Sequence, residues 1–217
     1  MNLLTAIRTF FTAGQGVFRG MKDASEDSNP IELFKDWFET AEKSGIILPE
    51  AMSLATSTPD GHPSLRTVLL KSFDEDGFVF YTNYESRKAR ELIENPQASI
   101  LIHWAVLHRQ VRIEGPVERV SDTESDTYFA SRSRGSQIGA WASMQSKMLG
   151  SREILENRVK EADKKFAGQA VPRPEHWGGF RIRPERIEFW QGKADRLHDR
   201  FIYSRETGAW RGSRYYP

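Results

Sequence analysis

Several short segments of this chain concentrate side chains that bind anions. In Asp195-Arg196-Leu197-His198-Asp199-Arg200, alternation along an extended strand sends Arg196, His198 and Arg200 to one face and Leu197 to the other. Three such donors suit the wall of an anionic, planar ligand. A solvated strand edge of mixed charge is the other reading, and this segment alone leaves both open. The run Arg66-Thr67-Val68-Leu69-Leu70-Lys71 places a cation at each end of an apolar strand. Arg offers phosphate a bidentate fork and Lys a point charge, although cations at strand ends are common. Ser86-Arg87-Lys88 opens a helix after the strand Phe78–Thr82, so two cations sit beside free backbone N–H groups at a positive helix end. Cations in a first turn oppose the helix dipole unless an anion is present. The plainer alternative is a Ser86 cap with both cations solvated.

Tyr128, Arg132 and Ser136 fall at i, i+4 and i+8. On one continuous helix they share a face and offer a phenol, a guanidinium and a hydroxyl to a single ligand. Gly135 leaves that continuity open, and a solvated helix edge is the rival. Gln145-Ser146 adds amide and hydroxyl donors near Trp141. Other chemistries lack support. There is no cysteine for thiolate catalysis or disulfides, and the five histidines show no metal-ligand spacing, so no metal is expected. No Gly-x-Gly-x-x-Gly or Walker-type loop follows a strand, and no Gly-x-Ser-x-Gly elbow supports a serine hydrolase.

The elements that must position these groups are mostly strands. Asn29-Pro30 predicts a helix to about Lys43, with Ile31, Phe34, Trp37, Phe38 and Ala41 on one face and Gly45 as its stop. Residues 52–56, 64–72, 78–82, 98–104 and 110–120 read as strands separated by turn signals such as Pro59-Asp60-Gly61. A short helix spans 86–94, and two more cover about 122–132 and 151–167. Strands resume at 179–183, 186–191, 200–204 and 209–215. Many short strands with few helices predict a mainly β fold, a closed or nearly closed antiparallel barrel with helical insertions.

The formal net charge of +1 implies no bulk attraction to nucleic acid or membrane, so neither is expected as a partner. No apolar run approaches the roughly 20 residues that span a bilayer. Absence of cysteine fits a reducing compartment, and a cytoplasmic location is expected. Met1 to Lys22 contains no acid and spaces Leu3, Leu4, Ile7, Phe10 and Phe11 helically. An organelle-targeting segment and an N-terminal arm both fit; the lack of a clear cleavage signal favours the arm. Residues 1–28 are accordingly read as an arm and 29–217 as the main domain.

Taken together, these segments resemble the pyridoxine (pyridoxamine) 5′-phosphate oxidase family. The matching motifs are Arg66-x-x-Leu69-Leu70-Lys71, Phe80-Tyr81-Thr82-Asn83, Ser86-Arg87-Lys88, Trp104-x-x-Leu107-x-Arg109-Gln110-Val111, Ser136-Gln137-Ile138-Gly139-Ala140, Gln145-Ser146, Trp177-Gly178-Gly179-Phe180 and Ile187-Glu188-Phe189-Trp190-Gln191-Gly192, followed by Arg196-Leu197-His198-Asp199-Arg200. They run in order from about Pro30 to the C-terminus. The resemblance implies a split β-barrel homodimer with FMN at each subunit interface. It implies oxidation of pyridoxine or pyridoxamine 5′-phosphate to pyridoxal 5′-phosphate, with O2 as acceptor and H2O2 as product. By resemblance, the run Arg66 to Lys71 together with Tyr81, Thr82, Arg87, Lys88, Gln110, Gln145, Ser146, Trp190 and Arg200 would hold FMN. Lys71, Tyr128, Arg132 and Ser136 would hold the substrate phosphate. Arg196, Leu197 and His198 would contact its ring, with Arg196 and His198 in the catalytic roles.

The chain departs from the family pattern in places. Residues 1–28 lack the usual Arg-rich stretch with a Tyr, Ser133 replaces a usual Pro, and Thr67 a usual Met. The chain ends Arg214-Tyr215-Tyr216-Pro217 rather than Arg-Leu-Ala-Pro. Two rival functions remain: a non-catalytic flavin or pyridoxal-phosphate binding protein, and a flavin reductase using a nicotinamide donor. Intact Arg196 and His198 speak against the first, because storage does not require both faces of the ring to be constrained.

Overall fold

The computed structural model describes Met21 and residues 24–217. The expected arm or targeting segment, apart from Met21 and residues 24–28, lies outside the described residues. Asn29 begins the first helix, α1 (Pro30–Lys43), by accepting the Ile31 N–H at 2.8 Å, and Pro30 supplies a preset φ at the first helical position. The buried face carries Ile31, Phe34, Trp37 and Ala41. Phe34 is fully buried and meets Phe73 and Phe78 edge-on at 4.8 and 5.0 Å between ring centres. The predicted stop holds, with Ser44 as cap and Gly45 at φ 75°.

Ten strands follow, interrupted by helices: β1 (Ala51–Ser57), β2 (Pro63–Leu69), β3 (Ser72–Asp74), β4 (Gly77–Asn83), α2 (Arg87–Glu94), β5 (Gln97–Trp104), β6 (Arg109–Arg119), α3 (Asp122–Ser131), α4 (Arg134–Ala142), α5 (Arg152–Lys165), β7 (Trp177–Ile182), β8 (Arg186–Gln191), β9 (Asp199–Glu206) and β10 (Ala209–Tyr215). Every pairing is antiparallel. One path runs β10-β9-β8-β6-β5-β1-β2, and β7 joins β6 to β4. The circuit β2-β1-β5-β6-β7-β4 comes back toward β2, where the Lys71 N–H, just past β2, donates to the Val79 carbonyl of β4 at 2.8 Å, although β2 and β4 form no ladder. This is the expected nearly closed barrel, split at one seam.

The long strand β6 makes the topology possible. Its first half, Arg109 to Glu114, pairs with β8, while Val117 to Arg119 pair with β7. Gly115 stands at the change of partner, where a Cβ would overlap the Arg183 carbonyl oxygen. Pro116 follows, and its carbonyl accepts the Arg183 N–H at 2.9 Å. Among the described residues, no helix is long and apolar enough to cross a membrane.

The core rests on α1 closing this barrel with aromatic rings. Phe34→Ala is expected to cost about 3 to 5 kcal/mol in urea unfolding, as for other buried Phe truncations. A loss under about 1 kcal/mol would show that α1 is not part of the cooperative core.

Candidate functional site

A cleft of about 800 Å³ opens where β2, β4, α2, α3 and α4 meet. Arg66, Lys71, Arg87, Lys88 and Arg132 line it, and among the described residues no Asp or Glu does. Such a cluster in a nearly neutral chain is a local anion trap. Lys88 is only 8% exposed, and its ammonium donates to the Thr82 hydroxyl at 3.1 Å, the Gln145 amide oxygen at 3.2 Å and the Ser86 hydroxyl at 3.3 Å. These oxygens are all neutral. Burial, with the Arg66 charge acting in the same direction, pushes Lys88 down to about 8.

Ser86 occupies the helix-start position but makes no side-chain cap. Instead Ser146, held at φ 69°, accepts the Arg87 N–H at 3.1 Å through its hydroxyl. The segment after α4 thereby ties Gln145 and Ser146 to the start of α2. The plain reading of Ser86-Arg87-Lys88 as a capped, solvated helix start is therefore wrong for Ser86 and Lys88, while Arg87 is exposed.

The opposite wall is aromatic. Tyr81 stacks on Tyr128 at 4.0 Å between ring centres and on Trp177 at 5.4 Å. Gly179 admits this stack, since a Cβ there would press on the Tyr81 ring. Burial pushes the Tyr81 hydroxyl up to about 12, so it stays a protonated donor. Arg132 covers Trp177 at 4.6 Å, and its Nη1 is buried with no hydrogen-bond partner. A guanidinium nitrogen without a protein acceptor, on a residue that lines a cationic cleft, fits an acceptor such as a phosphate oxygen.

Tyr128, Arg132 and Ser136 do not lie on one helix. Helix α3 ends at Ser131, Arg132 is extended at ψ 150°, and Ser133 starts α4 by accepting from the Ser136 N–H at 3.4 Å. Breaking the helix nevertheless directs all three side chains to the cleft. Ser133, which departs from the family pattern, acts as a helix cap. Helix α4 itself is missed by sequence reasoning, because Gly135 and Gly139 dilute its periodicity.

A second correction concerns Arg196 and His198. They do not share a strand face with Arg200, because β9 begins only at Asp199. Asp195 and Arg196 adopt φ of 56° and 60°, a left-handed turn that alternation along a strand cannot foresee. His198 packs on Trp190 at 4.5 Å between ring centres, and its Nδ1 accepts the Lys193 N–H at 3.2 Å. That bond leaves the proton on Nε2.

Gln110, Trp190 and Arg200 stand in register across β6, β8 and β9. Arg200 donates through Nε to Glu188 Oε1 at 2.8 Å. None of Gln110, Trp190, Arg196, Leu197, His198 and Arg200 lines the cleft. Along the ladders, β8 lies four strand steps from β2 and three from β4. The predicted site therefore falls into two clusters within one copy. Leu70, at 4% exposure, belongs to the core rather than the cleft. Asn83, Ser143 and Trp177 line the cleft without having been assigned a role.

Comparison with known proteins bears on these clusters. A family model described as pyridoxamine 5′-phosphate oxidase matches residues 38–166. A second, described as the pyridoxine 5′-phosphate oxidase C-terminal dimerisation region, matches residues 177–217. A Psychromonas ingrahamii protein named pyridoxine/pyridoxamine 5′-phosphate oxidase is 55% identical over 217 residues, 100% of each chain. A Rubrobacter xylanophilus protein of the same name is 57% identical over 198 residues, 91% of each. Among solved structures, PhzG from Burkholderia lata in complex with tetrahydrophenazine-1-carboxylic acid has a TM-score of 0.87 at 35% identity, covering 93% of this chain and 100% of that one. A pyridoxamine 5′-phosphate oxidase-related, FMN binding protein from Nostoc punctiforme shares the fold, with a TM-score of 0.70 at 17% identity over 88% of this chain and 100% of that one.

The lowered Lys88 value makes a prediction. An anion against the ammonium raises its pKa again, so binding takes up a proton once the pH exceeds about 8. With FMN as the probe anion, affinity titrated by fluorescence should be flat between about pH 7 and 8 and then fall by up to about tenfold per pH unit. Lys88→Met should bind more weakly and lose that fall. A wild-type affinity that stays level well above pH 8 would contradict the assignment.

Proposed function

The chain belongs to the pyridoxamine 5′-phosphate oxidase family, and on that premise we propose that it oxidises pyridoxine or pyridoxamine 5′-phosphate to pyridoxal 5′-phosphate. The observation that carries this reading is the cleft, which among the described residues has five cations, no lining carboxylate and a stacked aromatic wall. FMN and the substrate each bring one phosphate, so two anions would share one cationic site. Arg66, Arg87, Lys88, Gln145 and Ser146 cluster around the start of α2 and would hold the FMN phosphate. Lys71, Tyr128, Arg132 and Ser136 would hold the substrate phosphate, with the orphaned Arg132 nitrogen as one donor. When bound, the flavin supplies the two-electron acceptor that side chains lack.

The alcohol loses two hydrogens to become the aldehyde, and O2 gains them as H2O2. The amine loses two hydrogens likewise, and water then releases ammonia. Protein groups must align the C4′ carbon and exclude water. Arg196 would lie over the substrate ring as a planar cation. His198, with Nδ1 engaged by Lys193, would present Nε2–H to the ring hydroxyl. This is an orienting role, since hydride loss from carbon depends first on alignment.

The separation of the two clusters supports assembly of each site from two copies. The match to a dimerisation region over 177–217 includes Trp190, Arg196, Leu197, His198 and Arg200. In a homodimer, one copy would contribute the cleft, and its partner would contribute Gln110 and this C-terminal group. An isologous two-fold dimer would then hold two equivalent sites.

Two outcomes are expected. Aerobic addition of pyridoxine 5′-phosphate to the FMN-loaded protein should give pyridoxal phosphate absorbance and equimolar peroxide. Retained flavin with neither product would favour the binding-protein alternative. Arg196→Ala should lower kcat/KM by about 2 kcal/mol or more while leaving FMN content nearly unchanged. Equal loss of flavin would refute the division of roles.

A further inference from the structure

One buried carboxylate stands directly behind the cleft and belongs to none of the motifs above. Glu91 follows Arg87 by one turn of α2 and is 3% exposed. Its Oε1 accepts from Arg87 Nε at 2.8 Å. Its Oε2 accepts from the Thr56 and Ser64 hydroxyls and from Arg66 Nη2 at 3.3 Å. Strands β1 and β2 and helix α2 therefore meet on a single carboxylate. Arg66 also donates through Nη1 to the Leu54 carbonyl at 3.0 Å and to the Thr56 hydroxyl at 2.6 Å, which fixes its guanidinium plane. Arg87 is otherwise a mobile type of side chain, 61% exposed. With Nε held by Glu91, its two terminal nitrogens remain available to an anion in the cleft.

We propose that Glu91 is a positioning residue, which sets Arg66 and Arg87 in advance for the phosphate of the flavin. The proposal rests on the reading of the cleft as the FMN site. Two effects of the carboxylate oppose each other. Its charge weakens the local attraction for an anion. It also removes rotamer freedom that two long side chains would otherwise lose on binding, about two- to tenfold in affinity for each. Because Glu91 is buried and points its oxygens at two guanidiniums, its own charge is largely spent on them, and the ordering effect dominates. Burial alone would raise the Glu91 carboxyl. The hydrogen bonds from Ser64, Thr56 and Arg87 and the Arg66 charge outweigh it and bring the group to about 2, so it is ionised at any working pH.

The test measures FMN affinity on apoprotein by fluorescence titration. Wild type is compared with Glu91→Gln, Glu91→Asp, Arg87→Ala and the Glu91→Gln/Arg87→Ala double variant, each checked by thermal melt. Gln keeps the shape but directs an amide NH2 toward converging donors. Glu91→Gln is expected to weaken FMN about tenfold or more, and Glu91→Asp to regain part of that loss. The Glu91→Gln factor should shrink clearly in the Arg87→Ala background, because the carboxylate acts through that guanidinium. A purely structural role would give the same factor in both backgrounds. That result, or a Glu91→Gln protein that binds FMN as tightly as wild type, overturns the proposal. Should Glu91→Gln fail to melt cooperatively, Glu91→Asp with and without Arg87→Ala carries the same comparison. A wild-type protein that takes up no FMN would instead remove the cleft reading itself.

Discussion

Five cations converge on one cleft, and mutual repulsion rises as water is excluded from between them. Lys88 shows the cost of such a site: burial against neutral oxygens, with the Arg66 charge acting in the same direction, lowers its pKa. Glu91, on the same helix, relieves Arg66 and Arg87 from behind the wall without entering the cleft. The charge left over has no partner of opposite sign along the lining among the described residues. An anionic ligand would complete the balance, and on the proposed function a chain of net charge +1 would hold two phosphates in one place. The aromatic stack of Tyr128, Tyr81 and Trp177 adds the flat surface that a ring system requires.

Within one copy the barrel keeps these two groups on different ladders. Strand β6 changes partner at Gly115, so one strand serves two ladders. The β7–β4 ladder carries Trp177 and Tyr81 and leads into α2. The β8–β9 ladder aligns Gln110, Trp190 and Arg200. In the connection from β8 to β9 the left-handed pair Asp195-Arg196 turns the chain, at a strain of about 1 to 2 kcal/mol for each residue. Backbone strain of this kind is retained where a side chain must be aimed.

Much of this was legible in the sequence. Alternation and turn signals located nearly every strand, and Asn29-Pro30 located α1. The Arg66, Lys71, Arg87, Lys88, Gln145 and Ser146 cluster was readable because cations at strand ends and a helix start are local features. Two kinds of information were not. Positive φ at Asp195 and Arg196 has no glycine to announce it, so alternation predicts a strand where the chain turns. The convergence of Tyr128, Arg132 and Ser136 was foreseen for the wrong reason: a break at Arg132, not helical periodicity, brings them together. Glu91 was hidden as half of an ordinary i, i+4 Arg–Glu pair, a pattern more often found on solvated helix faces. Its importance comes from Thr56, Ser64 and Arg66 on other strands, which local spacing cannot reveal.

The central claim is that the cleft of one copy works with the Arg196–Arg200 cluster of another. It is tested most directly by mixing two inactive variants, Arg132→Ala and Arg196→Ala, after unfolding and refolding them together. Half of the resulting dimers should be mixed, each holding one site with both clusters intact, so about a quarter of wild-type activity should return. If each copy builds its whole site alone, every site in the mixture carries a defect. The mixture would then be no more active than the two variants measured apart.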